Sequence, residues 1–287
     1  MAGLTWLHLS DWHQGGKEFD REVVRDKLLE DLEKREDISP DLATIDFIIF
    51  SGDVAKSAKP EEYQAAKEEL FDRILKVTGL SPDKLFIVPG NHDLNRDDLE
   101  DLPPALSKPL GSNVDVQKWL DDERKRKILL GPFHAFSDFV TAITGQNKPD
   151  YANVRIIPIG DKKIALLGLN SAWMCGRNRD SDGKVDDERH VLVGEPQIHR
   201  SLMQISKADV RIAILHHPFE WLAKFDRDRI ESRLMSETDF ILRGHQCVVP
   251  NVWHLYTPPF LLDLFGRIEI SLHSQKELVQ IALLRHS

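Results

Sequence analysis

Only two cysteines, Cys175 and Cys247, occur in 287 residues. That excludes a disulfide framework and points to a reducing compartment, the cytoplasm. No apolar run approaches the roughly 18 residues of a membrane span, so no membrane partner is expected. The first residues also lack the apolar stretch of a secretory signal. Basic residues are outnumbered, with 38 Lys and Arg against 47 Asp and Glu, for a formal charge of −9. This argues against a general nucleic-acid binder, which carries a basic footprint, but leaves open a nuclease whose basic groups are local. Internal repeats and low-complexity linkers are missing as well. The chain therefore reads as a single domain over residues 1–287, long enough for a substantial core.

What the sequence does contain is one design used five times. Leu85-Phe86-Ile87-Val88 is a short apolar run of the kind that forms a buried strand. Pro89-Gly90 stops it and lets the chain turn, and Asn91, His92 and Asp93 follow at once. Residues 4–10 lead likewise into Asp11-Trp12-His13, and residues 47–51 into Gly52-Asp53. Residues 210–215 lead into His216-His217-Pro218, and residues 240–243 into Gly244-His245. One such ending is common. Five of them argue for a single metal-binding rim at the C-terminal ends of strands, where open α/β sheets hold ligands.

Between these runs the periodicity predicts helices over residues 21–35 and from Pro60 to about 77. The resulting β-α-β-α-β order points to a parallel sheet. Residues 94–131 read as an insertion, made irregular by Pro103, Pro104 and Pro109 and ending in a charged helix over residues 116–130. Its cluster Glu123-Arg124-Lys125-Arg126-Lys127 reads as a solvated helix face rather than a phosphate patch. A helix over 132–144 precedes strands at 154–159 and 163–169, joined by the turn Gly160-Asp161. Residues 176–189 are a polar loop whose Asp180-Ser181-Asp182-Gly183 lacks the acidic spacing of an EF-hand. A helix follows over 194–206. From about residue 248 the tail shows only short apolar runs, with strands expected near 252–256, 267–272 and 278–284. The two groups of strands predict an α/β fold in which two sheets stack with helices outside.

Asp11, His13, Asp53, Asn91, His216 and His245 offer carboxylate, imidazole and amide oxygen from five strand ends. That mixture suits Mn, Fe or Zn better than Ca or Mg. A carboxylate such as Asp53 can bridge two cations. Two cations about 3.5–4 Å apart can clamp a phosphoryl group and acidify a bridging water. His92, next to a ligand, can reach a leaving oxygen as an acid. His8, His134, His190, His199, His254, His273 and His286 read as ordinary hydrogen-bonded histidines. His217 reads as structural support, because adjacent side chains leave a strand end in different directions.

Taken in order, these five motifs resemble the calcineurin-like metallophosphoesterases, over roughly residues 4–247. The resemblance implies a four-layer α/β/β/α sandwich of two mixed sheets flanked by helices, with a centre of two divalent metal ions. Asp11, His13 and Asp53 would hold the first ion, and Asp53, Asn91, His216 and His245 the second. His92 would be the catalytic histidine, oriented by Asp93. The implied reaction is hydrolysis of a phosphomono- or phosphodiester by a metal-bridging hydroxide. The opening His8-Leu9-Ser10-Asp11-Trp12-His13 also resembles the branch that resects DNA ends. The acidic charge nevertheless favours a nucleotide or small phosphodiester over nucleic acid. The family usually closes on Gly-His-x-His, whereas this chain has Gly244-His245-Gln246-Cys247. As a thiolate, Cys247 would ligate the first ion and favour zinc. As an apolar filler, it would leave that ion three protein ligands. The departure keeps open a non-catalytic metal-binding regulatory module and the catalytic part of a longer multidomain protein; the insertion over residues 94–131 leaves a third reading, an oligomerising scaffold.

Overall fold

The computed structural model describes residues 4–16, 18–147, 150–245 and 282–286. In chain order the elements are β1 (Leu4–Leu9), α1 (Glu18–Glu33), α2 (Arg35–Ile38), β2 (Phe47–Phe50), α3 (Pro60–Ala66), α4 (Asp72–Thr78) and β3 (Leu85–Ile87). Then come α5 (Asn113–Leu120), α6 (Glu123–Leu129), α7 (His134–Thr144), β4 (Ala152–Ile159), β5 (Lys162–Leu169) and α8 (Glu195–Gln204). The last are β6 (Val210–Leu215), α9 (Lys224–Glu237), β7 (Phe240–Arg243) and β8 (Ala282–His286).

The strands form two mixed sheets, ordered β3-β2-β1-β8 and β4-β5-β6-β7. In the first, β1, β2 and β3 run parallel and β8 antiparallel. In the second, β4 is antiparallel to β5, and β5, β6 and β7 are parallel. Side chains alternate across a strand, so a run that is apolar at every position must be covered on both faces. Ile48, Phe50, Leu85 and Ile87 pack outward with Leu28, Leu32, Phe71 and Phe136 from the helices. Phe47, Ile49 and Phe86 pack inward against Leu166, Ile212 and Ile214 of the second sheet. On the far side, Ala165, Leu167, Ala213 and Leu215 pack with Leu120, Ile198 and Leu234. Three apolar layers thus separate four structural ones, and the α/β/β/α sandwich follows from the strand alternation.

The helix from Pro60 continues as expected, but as α3, one π turn (Lys67–Phe71) and α4, and it stops at Gly79 with φ 72°. The single helix expected over 116–130 is two. Asp122 accepts from the backbone N–H of Arg124 and Lys125 (3.0 and 3.1 Å) and so caps a new start. Its basic cluster lies on a charged face where Lys127 pairs with Glu123 (2.7 Å) and Arg126 with Asp150 (3.0 Å). The sequence reading placed no element between His217 and Phe240, yet α9 lies there, burying Ile230 and Leu234 on one face. Cys247 and the strands expected near 252–256 and 267–272 fall outside the described residues. Among those described, no helix is long and apolar enough to cross a membrane.

Candidate metal centre

The β1–β2 ladder continues beyond the strands. Asp11 N donates to Gly52 O (3.0 Å), His13 N to Asp53 O (3.0 Å) and Gln14 N to Val54 O (2.9 Å). Asp11 and His13 are thereby fixed beside Asp53. Their backbones are unusual, because Asp11 (φ 59°), His13 (50°), Asp53 (60°) and His245 (69°) all lie in the left-handed region. That region is unfavourable for residues with a Cβ, and surrounding structure must enforce it. Four of the six ligand candidates pay this strain to aim their side chains at one place. Gly52 and Gly90 let the loops approach. A Cβ on Gly52 would lie 2.5 Å from His216 Nδ1, and one on Gly90 would collide with the Asp53 carboxylate.

The donor atoms converge. Asp53 Oδ2 lies 3.2 Å from His216 Nε2 and 3.7 Å from His13 Nε2. His13 Nε2 is 3.8 Å from Asp11 Oδ1. His245 Nδ1 is 3.0 Å from His216 Nε2, and His245 N donates to Asp11 Oδ2 (3.0 Å). Among the described residues, three triads hold their donor atoms within 4.8 Å of one another: Asp11, Asp53 and His216; His13, Asp53 and His92; His216, His217 and His245. Asp53 belongs to two of them. Asn91 Oδ1 is buried and accepts no hydrogen bond among the described residues, an unusual state for a buried amide oxygen. Carboxylate, imidazole and a lone amide oxygen without a donor make a set that divalent cations satisfy.

The charges fit the same conclusion. Burial opposes an imidazolium at His216, but the Asp53 charge and hydrogen bond outweigh it and raise its pKa to about 9. Burial likewise opposes an ionised Asp53, yet His216 holds it well below the usual carboxylate range. His245 is pushed down to about 3 by burial and then by His216. His13 is also lowered, chiefly by burial. Imidazolium at His216 and carboxylate at Asp53 thus favour each other, and a bound cation would take over the role of that positive charge. The Nδ1 of His216 donates to Ser51 O (2.8 Å), which turns Nε2 toward the cluster.

His92 lies on the rim. Its Nδ1 donates to Lys56 O (2.7 Å), its N–H to Asp53 Oδ1 (2.8 Å), and its ring meets His13 edge-on at 4.7 Å. The resemblance implied that Asp93 orients His92; in this structure the His92 ring meets Lys56 O, and the Asp93 carboxylate meets other groups. Asp93 is fully buried, and its Oδ2 accepts from the N–H of Asp53 (2.8 Å), Gly90 (2.9 Å) and Val54 (3.3 Å). Its Oδ1 accepts from Ala55 N and Tyr63 Oη, both at 3.1 Å. Burial and then the Asp53 charge raise Asp93 to about 6. It ties the β2 and β3 loops together beneath the cluster.

His217 sits behind the rim, with Nδ1 2.9 Å from Ser171 Oγ and Nε2 3.7 Å from Cys175 Sγ. Trp221 packs edge-on against His245 at 4.1 Å. Sequence reasoning missed Trp221, Ser171 and Tyr63, because each reaches the site from a segment with no motif of its own. His8 is ordinary, as expected: it meets Ser51 Oγ at 2.8 Å, and burial lowers it to about 4.

Residues 4–249 match the family described as calcineurin-like phosphoesterase. The chain belongs to that family. Among curated relatives of this phosphoesterase, the uncharacterized metallophosphoesterase-like protein YydB of Bacillus subtilis is 27% identical over 252 residues, 84% of this chain and 48% of the relative. Glycerophosphodiester phosphodiesterase GpdQ of Enterobacter lignolyticus is 33% identical over 161 residues, 56% of this chain and 54% of the relative. The matched regions thus span about half the length of these relatives. Among solved structures, purple acid phosphatase PPD1 from yellow lupin aligns with a TM-score of 0.46 at 11% identity, covering 87% of this chain and 40% of that one.

Proposed function

We propose that this calcineurin-like phosphoesterase is a metal-dependent hydrolase of phosphoric esters whose substrate is a nucleotide or another small phosphodiester. The observation that carries the reading is the convergence of carboxylate and imidazole donors within 4.8 Å, beside an amide oxygen without a partner. Family membership supports the reaction class. The partial likeness to a glycerophosphodiester phosphodiesterase supports a diester.

In this reading Asp11, His13 and Asp53 hold one divalent cation, and Asp53, Asn91, His216 and His245 hold a second. Mn, Fe and Zn suit these donors. The cations, when bound, supply Lewis acidity and positive charge to the phosphoryl group. The protein's own contribution is position and a proton. Strained loops place the ligands before substrate arrives, so little reorganisation is needed during reaction. Because Lys56 O can only accept, His92 Nδ1 carries a hydrogen and Nε2 is left for the substrate. When protonated, Nε2 donates to the ester oxygen as it leaves, and water supplies the oxygen added to phosphorus.

The test is hydrolysis of bis-p-nitrophenyl phosphate and p-nitrophenyl phosphate with added Mn, before and after chelation. The diester should be the better substrate, and chelation should abolish turnover. Asp53→Asn and His92→Asn should each lower kcat/KM at least about 10²-fold. Undiminished hydrolysis by both variants would refute the mechanism.

A further inference from the structure

Arg21 follows the metal-site loop of His13-Gln14-Gly15-Gly16 and lies in the first turns of α1. It is 5% exposed, yet its Nε and Nη1 are buried without any hydrogen-bond partner among the described residues. Burying a guanidinium costs several kcal/mol unless an anion or acceptor meets it. Two other arginines also hide guanidinium nitrogens, but each is tied through Nη1 to a backbone carbonyl, Arg155 to Asp83 O and Arg177 to Trp173 O, both at 2.6 Å. Arg21 has no such anchor. Its neighbours are the Trp12 ring, 6.0 Å away, and Gly16, whose absent Cβ would lie 3.5 Å from Nη1 and 3.2 Å from His13 O. The guanidinium thus lies against the loop that carries His13, one of the proposed ligands.

Among the described residues, no carboxylate pairs with Arg21. Glu69 accepts from Gln14 Nε2 (3.1 Å), and Glu62 accepts from the N–H of Ser57 and Lys59 (2.9 and 3.1 Å). A buried, unpaired fork of donors beside a phosphoester site is built for an oxyanion, since guanidinium matches phosphate geometry.

We infer that Arg21 binds a second phosphate of the substrate, one attached to the same molecule as the ester cleaved at the metal centre. The inference rests on the phosphoesterase reading and narrows its substrate class to phosphoesters with a further phosphate.

Two measurements separate this inference from the reading beneath it. The first is calorimetric titration of metal-free protein with inorganic pyrophosphate. The unaltered chain should bind saturably, and Arg21→Gln should weaken binding at least about ten-fold, the usual worth of charge-assisted hydrogen bonds. Gly16→Asp, which places a carboxylate against the guanidinium, should weaken binding similarly while the helix is untouched. No binding by the unaltered chain, or equal binding by both variants, overturns the inference whether or not the protein is an enzyme. The second measurement is the KM of bis-p-nitrophenyl phosphate relative to that of thymidine 3′-phosphate 5′-(p-nitrophenyl phosphate), which carries a second phosphate. The unaltered enzyme should prefer the latter, and Arg21→Gln should shrink that KM ratio about ten-fold. An unaltered enzyme that hydrolyses both with an Arg21-independent ratio sinks the role of Arg21 and leaves the phosphoesterase standing. Pyrophosphate binding that depends on Arg21 in a protein without turnover would do the reverse.

Discussion

Two buried aspartates, one under each sheet's loops, do the same work to different ends. Asp93 gathers the N–H groups of Gly90, Asp53, Val54 and Ala55. Asp226, in the first turn of α9, gathers those of Val193 (2.7 Å) and Gly194 (3.1 Å). Burial is the largest cause in raising each to about 6. Each knot includes a glycine where a Cβ would crowd a neighbour: Gly90 against Asp53, and Gly194, with φ 90°, against Leu120 Cδ1 (2.6 Å). The next contributor separates them. For Asp93 it is the charge of Asp53, a proposed ligand, whereas for Asp226 it is the backbone N–H of Val193, and no proposed ligand contributes. A carboxylate that collects backbone donors is therefore a general device for fixing loops. It bears on chemistry only where the loop it fixes carries a ligand.

Gly90→Ala should have the largest effect. Its methyl would displace the Asp53 carboxylate, and phosphodiester turnover with Mn should fall at least about 10²-fold. A variant with normal turnover would show that the first knot does not set Asp53. Asp93→Asn comes next. One amide oxygen cannot serve the donors that two carboxylate oxygens serve, so denaturant unfolding should show a loss of about 3 kcal/mol. Activity should fall about ten-fold as Asp53 loosens.

Asp226→Asn sharpens the contrast through pH. The folded pKa of Asp226, about 6, lies above the ordinary aspartate value of 3.8. The folded state therefore holds its proton longer. The stability from this group is complete below about pH 4 and is lost as pH rises through about 6. The shift corresponds to about 3 kcal/mol. Denaturation at a series of pH values should show this fall in the unaltered chain and a flatter profile in Asp226→Asn, with turnover within about two-fold. Strongly reduced turnover would mean that the second knot also reaches the site. Gly194→Ala should be the mildest change. It should cost about 2 kcal/mol in stability, from left-handed strain and crowding of Leu120, and little activity.

The layered fold was legible from residues 47–50 and 85–88, because uninterrupted apolar strands have to be covered on both faces. The rim was legible too, since turn residues stop each run just before Asp, Asn or His. Helix boundaries were less so. Nothing in the residue 116–130 pattern announces that Asp122 accepts from its own helix start, and α9 was missed because its charged surface obscures two buried residues four apart.

The sequence by itself determined the alternation that builds the sandwich, the points where strands end and the kinds of donor placed there. Those are local properties, set by side-chain polarity and by the backbone freedom of proline and glycine. Tertiary structure alone decided where each donor points. It bonded His216 to Ser51, 165 residues away, and turned Asp93 toward the β2 loop rather than His92. It held Asp11, His13, Asp53 and His245 at positive φ, and it left Arg21 without a partner. Such choices rest on hydrogen bonds and close approaches between segments far apart in the chain, which no local pattern encodes.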